Sequence, residues 1–224
     1  MCVPDSPDSF EELQPTPGPI IPAREEHAQG IVDLRNRIAR WLQGRGIDQW
    51  REGEFDPRDV SEEIGRGEWS VIESPEDPTV VLASVQVLWE DLRIWGKQEE
   101  PAGYVHGVAV DRSLRSTGTG PALIRHAEKV TRDSGRSVVR LDCDVNSPRL
   151  AEFYQGLGYL PCGTQDFYVA HQDFHILAHA RAPLRQRRCV NEHALHHVGR
   201  RMNNQTFLEL NNAGLSQSSF PSRS

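Results

Sequence analysis

Cysteine is scarce in this chain of 224 residues, which contains only four. Cys2, Cys143, Cys162 and Cys189 are scattered, and no two of them form a Cys-x-x-Cys pair. This spacing indicates neither a disulfide framework nor a tetrahedral zinc site. We therefore expect reduced thiols, and we expect Cys143 to pack within an apolar strand rather than to act as a nucleophile.

Long hydrophobic runs are also missing. No stretch approaches the roughly 18 apolar residues that a membrane-spanning helix requires, and the first residues lack the basic and apolar regions of a secretory signal. We therefore expect a cytoplasmic protein without a membrane partner. The net charge of −7 argues against nucleic acid as a partner and favours cationic partners.

Both ends of the chain are poor in periodic apolar residues. Residues 1–17 are rich in Pro, Asp, Glu and Ser, a composition that cannot offset the entropy lost on ordering, so we predict a flexible leader. Residues 183–224 contain six Arg but only two Glu, and we predict a basic tail that is disordered or marginally helical. Residues 18–182 remain as one domain, a length that can bury a substantial core.

Between these ends, the hydrophobic pattern changes repeatedly between the periods of helices and strands. Apolar residues recur at helical spacing in 31–42, and Asp56 followed by Pro57 is a helix-start signal. The runs EWSVIES and TVVLASVQVLW predict the two strands of a hairpin. Along the whole domain the pattern predicts the order β-α-α-β-β-β-α-β-α-β-β. This order indicates the α/β (α+β) class, with a mixed sheet flanked by helices.

The segment Arg115–Pro121, RSTGTGP, lies between a predicted strand, YVHGVAV, and a predicted helix. Backbone N–H groups at a helix start are unpaired and lie at the positive end of the helix dipole, so such a junction can bind an anion. Gly118 and Gly120 would permit positive φ angles and close approach of a phosphate. A glycine pair before a helix is also a common tight turn, and the segment fits neither of the two common nucleotide-binding loops.

Two motifs taken together resemble the GNAT (Gcn5-related N-acetyltransferase) superfamily. Arg115–Gly120 fits the pattern R/Q-x-x-G-x-G/A, and SPRLAEFYQGLGY follows about thirty residues later. The resemblance covers about residues 18–180 and agrees with the predicted order of elements. It implies transfer of an acetyl group from acetyl-CoA, as co-substrate, to an amine, and it implies no metal.

The resemblance also implies which residues hold the coenzyme. The loop amides would hold its pyrophosphate, and the backbone at Val108, Ala109 and Val110 would pair with the pantetheine arm and polarise the thioester carbonyl. Ser147 stands where the family usually has Asn, and it would still cap its helix and contact the pantetheine. Pro121 has no N–H, so one loop contact is expected to be missing. The implied loop residues are Arg115, Ser116, Thr117, Gly118, Thr119 and Gly120.

Few residues are candidates for the general acid and the general base of the implied reaction. Tyr154 matches the tyrosine of the family motif, which implies a general acid that protonates the leaving thiolate of coenzyme A; alternatively, Tyr154 only packs beside its apolar neighbours. The amine must lose a proton before it attacks, and His106 is the leading candidate for the base, although a single strand histidine is often structural. Asp142, Asp144 and Glu90 are alternatives that would take the proton, attract a cationic substrate or simply be solvated.

The acceptor is expected to be a small-molecule primary amine, presented by residues 44–58 and 90–103. Trp50, Trp89 and Trp95 in these segments would line an apolar acceptor pocket or belong to the core. No pattern in the sequence decides between these two alternatives.

The alternative function is a non-catalytic CoA-binding or regulatory module on the same scaffold, which Pro121, Ser147 and the unusual tail make credible. A homodimer is compatible with the sequence. His171, His175 and His179 would align only on a helix, whereas this region is predicted to form strands, so we predict no metal site there.

Overall fold

A computed structural model of the chain describes residues 18–47, 49–169 and 172–181. The predicted leader and tail lie outside these residues, so their character and the domain boundaries stay predictions. Among the residues described, no helix combines the length and the apolarity needed to cross a membrane.

The described part of the chain contains seven strands and five helices. The strands are β1 (Ile21–Pro22), β2 (Trp69–Glu73), β3 (Val81–Leu88), β4 (Ala102–Val110), β5 (Val138–Asp144), β6 (Leu160–Val169) and β7 (Gln172–Arg181). The helices are α1 (Ala28–Gln43), α2 (Pro57–Gly65), α3 (Leu92–Trp95), α4 (Thr119–Asp133) and α5 (Pro148–Gly156). The predicted order is confirmed, with the short helix α3 as an addition between β3 and β4.

All seven strands form one mixed sheet, in the order β1-β2-β3-β4-β5-β7-β6. β4 and β5 are parallel, since α4 crosses over between them, and each other pair of neighbours is antiparallel. The predicted hairpin β2-β3 is present, and β6 and β7 form a second antiparallel pair. The predicted fold class is therefore confirmed.

Helices cover both faces of the sheet. Alternate residues of β2 enter different clusters: Val71 packs with α1 and α2, and Ile72 packs with α4. On α4, Leu123 and Ala127 have no exposed surface, so the apolar face of this helix forms part of the core. Gly135, with a φ of +79°, follows the end of α4.

The two predicted helix caps differ in the structure. Asp56 caps α2 through its side chain, because Oδ1 accepts a hydrogen bond of 2.9 Å from the backbone N–H of Arg58. Ser147 holds the N-cap position of α5 but its side chain makes no capping hydrogen bond. Its ψ of 68° departs from the extended value of 128° at Asp56, so the hydroxyl is aimed differently. The expected side-chain cap at Ser147 is therefore wrong.

Candidate active site

Strands β4 and β5 diverge in the middle of the sheet. Their parallel pairing ends at Val105↔Leu141. Beyond that pair β4 continues beside β3, and β5 continues beside β7. A cleft therefore opens at the carboxyl ends of the parallel pair, the place where open α/β sheets usually bind ligands. The β4 residues along this cleft include Val108, Ala109 and Val110.

A β-bulge in β4 lies at the start of the cleft. The register between β3 and β4 shifts between Ser84 and Gln86, which gives β4 one residue more than its partner. Gly107 has a φ of +57° at this point, and a Cβ built on it would lie 2.5 Å from the ring of Trp69. Only glycine fits that position. His106 and Gly107 both face the α1 side, because the residue before them packs on the α4 side and Trp69 belongs to the α1 cluster.

Three ionisable side chains meet beside the bulge: Asp91, His106 and Asp142. His106 and Asp142 are the first residues beyond the last parallel pair. Asp91 follows β3 and caps α3, where its Oδ1 accepts a hydrogen bond of 3.0 Å from the N–H of Ile94. The Nε2 atom of His106 lies 3.1 Å from Oδ2 of Asp91, and Nδ1 lies 3.9 Å from Oδ1 of Asp142. Asp91 thus holds the ring through Nε2 and leaves Nδ1 on the side of Asp142.

The surroundings shift the pKa values of all three groups. Burial alone would lower the pKa of His106, but the hydrogen bond to Asp91 and the charges of Asp142 and Asp91 raise it above the ordinary 6.5. Burial would raise the pKa of Asp91, but hydrogen bonds from His106 and Ile94 lower it. Burial raises the pKa of Asp142 to about 6, against the opposing charge of His106. Asp142 therefore changes protonation near pH 6, and His106 is a stronger base than an ordinary histidine, beside a carboxylate, Asp91, that stays ionised.

Asp142 leaves one oxygen without a donor. Its Oδ1 is buried and accepts no hydrogen bond within the part of the chain that is described. An unsatisfied buried acceptor costs about 1–3 kcal/mol. The 3.9 Å to Nδ1 of His106 is too long for a hydrogen bond. A ligand that bears N–H groups would satisfy both atoms if it were bound between them.

The same cluster offers donor atoms for a metal ion. One ligand atom from each of Asp91, His106 and Asp142 lies within 4.8 Å of the others, and imidazole with carboxylate suits several divalent cations. The hydrogen bond of 3.1 Å to Asp91 assigns Nε2 of His106 to a proton. Nδ1 of His106 is therefore the ring atom that can accept a proton or bind an ion.

The loop Arg115–Gly120 has an unusual backbone. Ser116 has a φ of +64°, which is rare for a residue with a side chain, and Gly118, the N-cap of α4, has a φ of +79°. The hydroxyl of Thr117 donates to the carbonyl of Leu114 at 2.7 Å. These contacts hold the loop in a fixed, curved shape.

The curve leaves amides available at the start of α4. Because they lie in the first turn, the N–H groups of Thr119 and Gly120 have no acceptor within the helix. Pro121, the next residue, adds none. A Cβ built on Gly118 would meet no atom within 4 Å, so the loop borders open space. Thr119 is only 1% exposed and Gly120 is partly exposed. Gly120 therefore offers the more accessible of these unpaired amides, and an amide of this kind at a helix start suits a phosphate. Arg115, at the beginning of the loop, is exposed.

A family model for the acetyltransferase (GNAT) family matches residues 35–159. This span is more than half of the chain and includes the cleft, the ionisable cluster and the glycine loop. The chain belongs to the GNAT family of acetyltransferases.

Individual relatives agree with this assignment. Our acetyltransferase is 33% identical over 144 residues to the N-acetyltransferase YesJ of Bacillus subtilis (strain 168), across 62% of this chain and 79% of YesJ. Its fold is similar to that of a GNAT-family acetyltransferase from Listeria monocytogenes 4b F2365, with a TM-score of 0.57, 21% identity and coverage of 73% of this chain and 94% of that chain. It is also similar to yncA of Salmonella typhimurium, solved with its cofactor acetyl-CoA, with a TM-score of 0.56, 13% identity and coverage of 78% and 98%. The protein is therefore a member of the GNAT acetyltransferase family and has the GNAT fold.

Tyr154 of the acetyltransferase lies on α5 and is only 5% exposed. Its ring centroid lies 5.2 Å from that of Phe153 and 6.2 Å from that of Tyr159. Burial, followed by the charges of Cys143 and Asp142, raises the pKa of its phenol above the ordinary value of 10. Tyr154 therefore packs in the core, as the packing alternative expects, and also keeps its proton, as a general acid requires.

The other proposed carboxylates lie outside the cluster. Oδ1 of Asp144 accepts hydrogen bonds from the backbone and side chain of Asn146, at 2.8 and 3.0 Å, and so closes the turn after β5. Glu90 is exposed, and its neighbour Asp91 occupies the place beside His106. Asp91 was missed because α3 was missed. A sequence signal was available. Asp91 precedes a short apolar segment that ends at Gly96, and an Asp before such a segment with a Gly after it is the pattern of a capped helix.

The three tryptophans do not form one pocket within the described residues. Trp95 packs edge-on against Tyr104 at 6.2 Å, which agrees with the core alternative. Trp89 is 39% exposed and lies under the guanidinium of Arg136. Trp50 contacts the guanidinium of Arg35.

Cys143 is buried, and burial raises the pKa of its thiol to about 11. Such a thiol is unreactive at neutral pH, so its predicted packing role is confirmed. His171 lies outside the described residues, as do the side chains of His175 and His179. The backbone of Gln172–Arg181 forms β7, as the strand prediction required.

Proposed function

We propose that the enzyme transfers the acetyl group of acetyl-CoA directly to the primary amine of a small molecule, without a covalent enzyme intermediate. One observation carries the proposal: Nδ1 of His106 and Oδ1 of Asp142 face each other across 3.9 Å at the mouth of the cleft. An ammonium group bound there would find an anion that attracts it and a base that takes its proton.

The coenzyme is proposed to bind along the cleft and the glycine loop. The amides of Thr119 and Gly120, with the side chain of Arg115, would hold the pyrophosphate. The backbone of Val108, Ala109 and Val110 would pair with the pantetheine arm, since β5 has turned away from it. Ser116 and Thr117 shape the loop, and Ser147 lies at the start of α5 with its hydroxyl uncommitted to the helix.

In the proposed reaction, neutral His106 accepts a proton from the substrate ammonium at Nδ1. The freed amine attacks the thioester carbon, a C–N bond forms, and the carbonyl oxygen becomes an oxyanion that a backbone N–H of Val108–Val110 stabilises. The C–S bond then breaks, and the thiolate takes the phenolic proton of Tyr154. The nitrogen releases its second proton to solvent as the C–S bond breaks, and the proton held by His106 returns to Tyr154 through solvent. The products are an amide, free coenzyme A and one released proton.

The test measures free thiol while the protein is incubated with acetyl-CoA and a panel of amines. We expect thiol release that depends on an amine and falls about 100-fold or more in His106→Gln, within the usual range for a general base. As a control, calorimetry measures the affinity for acetyl-CoA, which should be the same in the wild type and in His106→Gln. Binding without thiol release for any amine would instead support a non-catalytic CoA-binding module.

A further inference from the structure

Arg35, on α1, is a buried cation that lacks an anionic partner. Arg35 is only 9% exposed, and the Nε atom of its guanidinium has no hydrogen-bond partner among the described residues. Among the described residues, no carboxylate lies within ion-pair distance of its guanidinium. Burial lowers its pKa to about 10, against the more remote charges of Glu54 and Glu63, so Arg35 remains protonated at neutral pH. A buried charge without a partner is costly, and such a group calls for an explanation.

Aromatic rings position the guanidinium. Its Cζ lies 4.5 Å from the ring centroid of Trp50 and 3.5 Å from that of Phe55. Ring contacts of this kind use the flat faces of the guanidinium, whereas its N–H donors point outward in its plane. Trp50 and Phe55 therefore hold the group in place and leave its donors available to a ligand.

The guanidinium lies beside the proposed amine site. Nη1 of Arg35 is 3.4 Å from the position of a Cβ built on Gly107, the residue directly after His106. Gly107 and His106 face the same side of the sheet because of the bulge. The charge of Arg35 also acts on His106, whose pKa it lowers. The donors of Arg35 and the acceptor of Asp142 thus flank His106.

We propose that the acceptor is an amino acid or a similarly small molecule that carries a carboxylate close to its amine. The amine lies between His106 and Asp142, and the carboxylate binds the planar N–H donors of Arg35. This inference rests on the proposed function, because it uses the same amine site. A bound carboxylate supplies the anion that Arg35 lacks, and a bound ammonium supplies the donor that Oδ1 of Asp142 lacks.

The arrangement also selects against other amines. A polyamine or a simple arylalkylamine would bring its ammonium to Asp142 but would leave the guanidinium of Arg35 desolvated and unpaired. A site built for a charged partner rejects an analogue that lacks it, because the buried group then loses its compensation. An amino-acid amide, which keeps the shape and loses the charge, is the informative comparison.

The test compares amino acids with their amides and with their decarboxylated amines, using thiol release by the full-length protein. We expect kcat/KM to be about 100-fold or more higher for the amino acid, as is typical when a buried charge pair is lost. Arg35→Met should abolish that preference, so that the amino acid and its decarboxylated amine are turned over with similar kcat/KM by this variant. Arg35→Lys should recover only part of it, because Lys lacks the planar fork. Arg58→Met, at an exposed ion pair, is the matched control and should keep the full preference.

A second measurement separates this inference from the proposed reaction. Calorimetry in the presence of CoA measures the affinity of the enzyme for reaction products. We expect N-acetyl amino acids to bind at least tenfold more tightly than N-acetylamines that lack a carboxylate. This difference in affinity should vanish in Arg35→Met. This binding difference without turnover of any amine would reject the proposed reaction and retain the carboxylate site. Equal binding or equal turnover with and without the carboxylate would overturn the inference, whether or not Arg35→Met folds.

Discussion

Nε2 of His106 donates to Oδ2 of Asp91 at 3.1 Å, across a separation of 15 residues in the chain. The hydrogen bond fixes the orientation of the imidazole and places the proton on Nε2, so the lone pair of Nδ1 lies on the side of Asp142. Asp91 itself is fixed as the cap of α3. Asp91 is therefore a positioning residue, which acts on the reaction through His106.

Asp91→Asn should shift the pH profile of kcat/KM. The hydrogen bond and charge of Asp91 raise the pKa of His106, and only neutral His106 can accept a proton. Wild-type activity should therefore rise with pH through a value above 6.5, and the variant should show this rise at lower pH with a maximum reduced about tenfold or more. Glu90→Gln, at the exposed neighbouring position, is the control and should keep the wild-type profile. An unshifted profile for Asp91→Asn would contradict the positioning role.

Asp142→Asn should raise KM for the amine about tenfold or more, because a near-neutral carboxamide does not attract an ammonium group. Acetyl-CoA affinity should stay the same by calorimetry. In the wild type, KM should rise as the pH falls below about 6, where Asp142 becomes protonated.

Asp144→Asn is the matched control, because Asn can still accept the hydrogen bonds from Asn146 through its Oδ1 atom. Its KM should remain that of the wild type. Equal changes in both variants would show that general negative charge, rather than the position of Asp142, attracts the substrate.

Tyr154→Phe should lower kcat about 100-fold, a typical loss for a general acid, while acetyl-CoA affinity changes little. Tyr159→Phe removes a neighbouring buried hydroxyl that donates to Glu128 at 3.1 Å. It should lower the free energy of unfolding by about 1 kcal/mol and leave kcat unchanged. Unchanged turnover in Tyr154→Phe would assign Tyr154 to packing alone.

Gly107→Ala should lower the free energy of unfolding by about 2–4 kcal/mol, because an alanine would need both a positive φ and space that Trp69 fills. Denaturant unfolding gives the value. Gly65→Ala, at the end of α2 with no atom within 4 Å of the added Cβ, should cost nothing or stabilise slightly. A tolerated Gly107→Ala would show that the bulge does not need glycine.

The order of the elements could be predicted from sequence, because the periods of 31–42, of the two hairpins and of α4 record which side of each element is buried. The glycine loop was accessible from the predicted strand and helix on either side of it. His106 and Asp142 were each named as candidates, but their pairing was not predicted. The places of α3 and Asp91 were not predicted either, because a four-residue helix has no periodic signal and only the capping pattern from Asp91 to Gly96 marks it.

The bulge and Arg35 were beyond sequence reasoning for a different reason. Gly107 is required by the ring of Trp69, which is distant in the chain, and the register shift that joins them exists only in the assembled sheet. In the sequence, Arg35 is one of several polar residues on an amphipathic helix. Its burial and its contacts with Trp50 and Phe55 arise only when the segment after α1 folds back over it.

The role of His106 is tested most directly by single-turnover acetyl transfer from bound acetyl-CoA, measured by thiol release against pH for the wild type and His106→Gln. We predict a wild-type rate that levels off once His106 is neutral. In His106→Gln the rate should be about 100-fold or more lower at pH 7 and should keep rising with pH as the free amine fraction grows. A His106→Gln rate within a few fold of the wild type, with the same pH dependence, would contradict the assignment of His106 as the base.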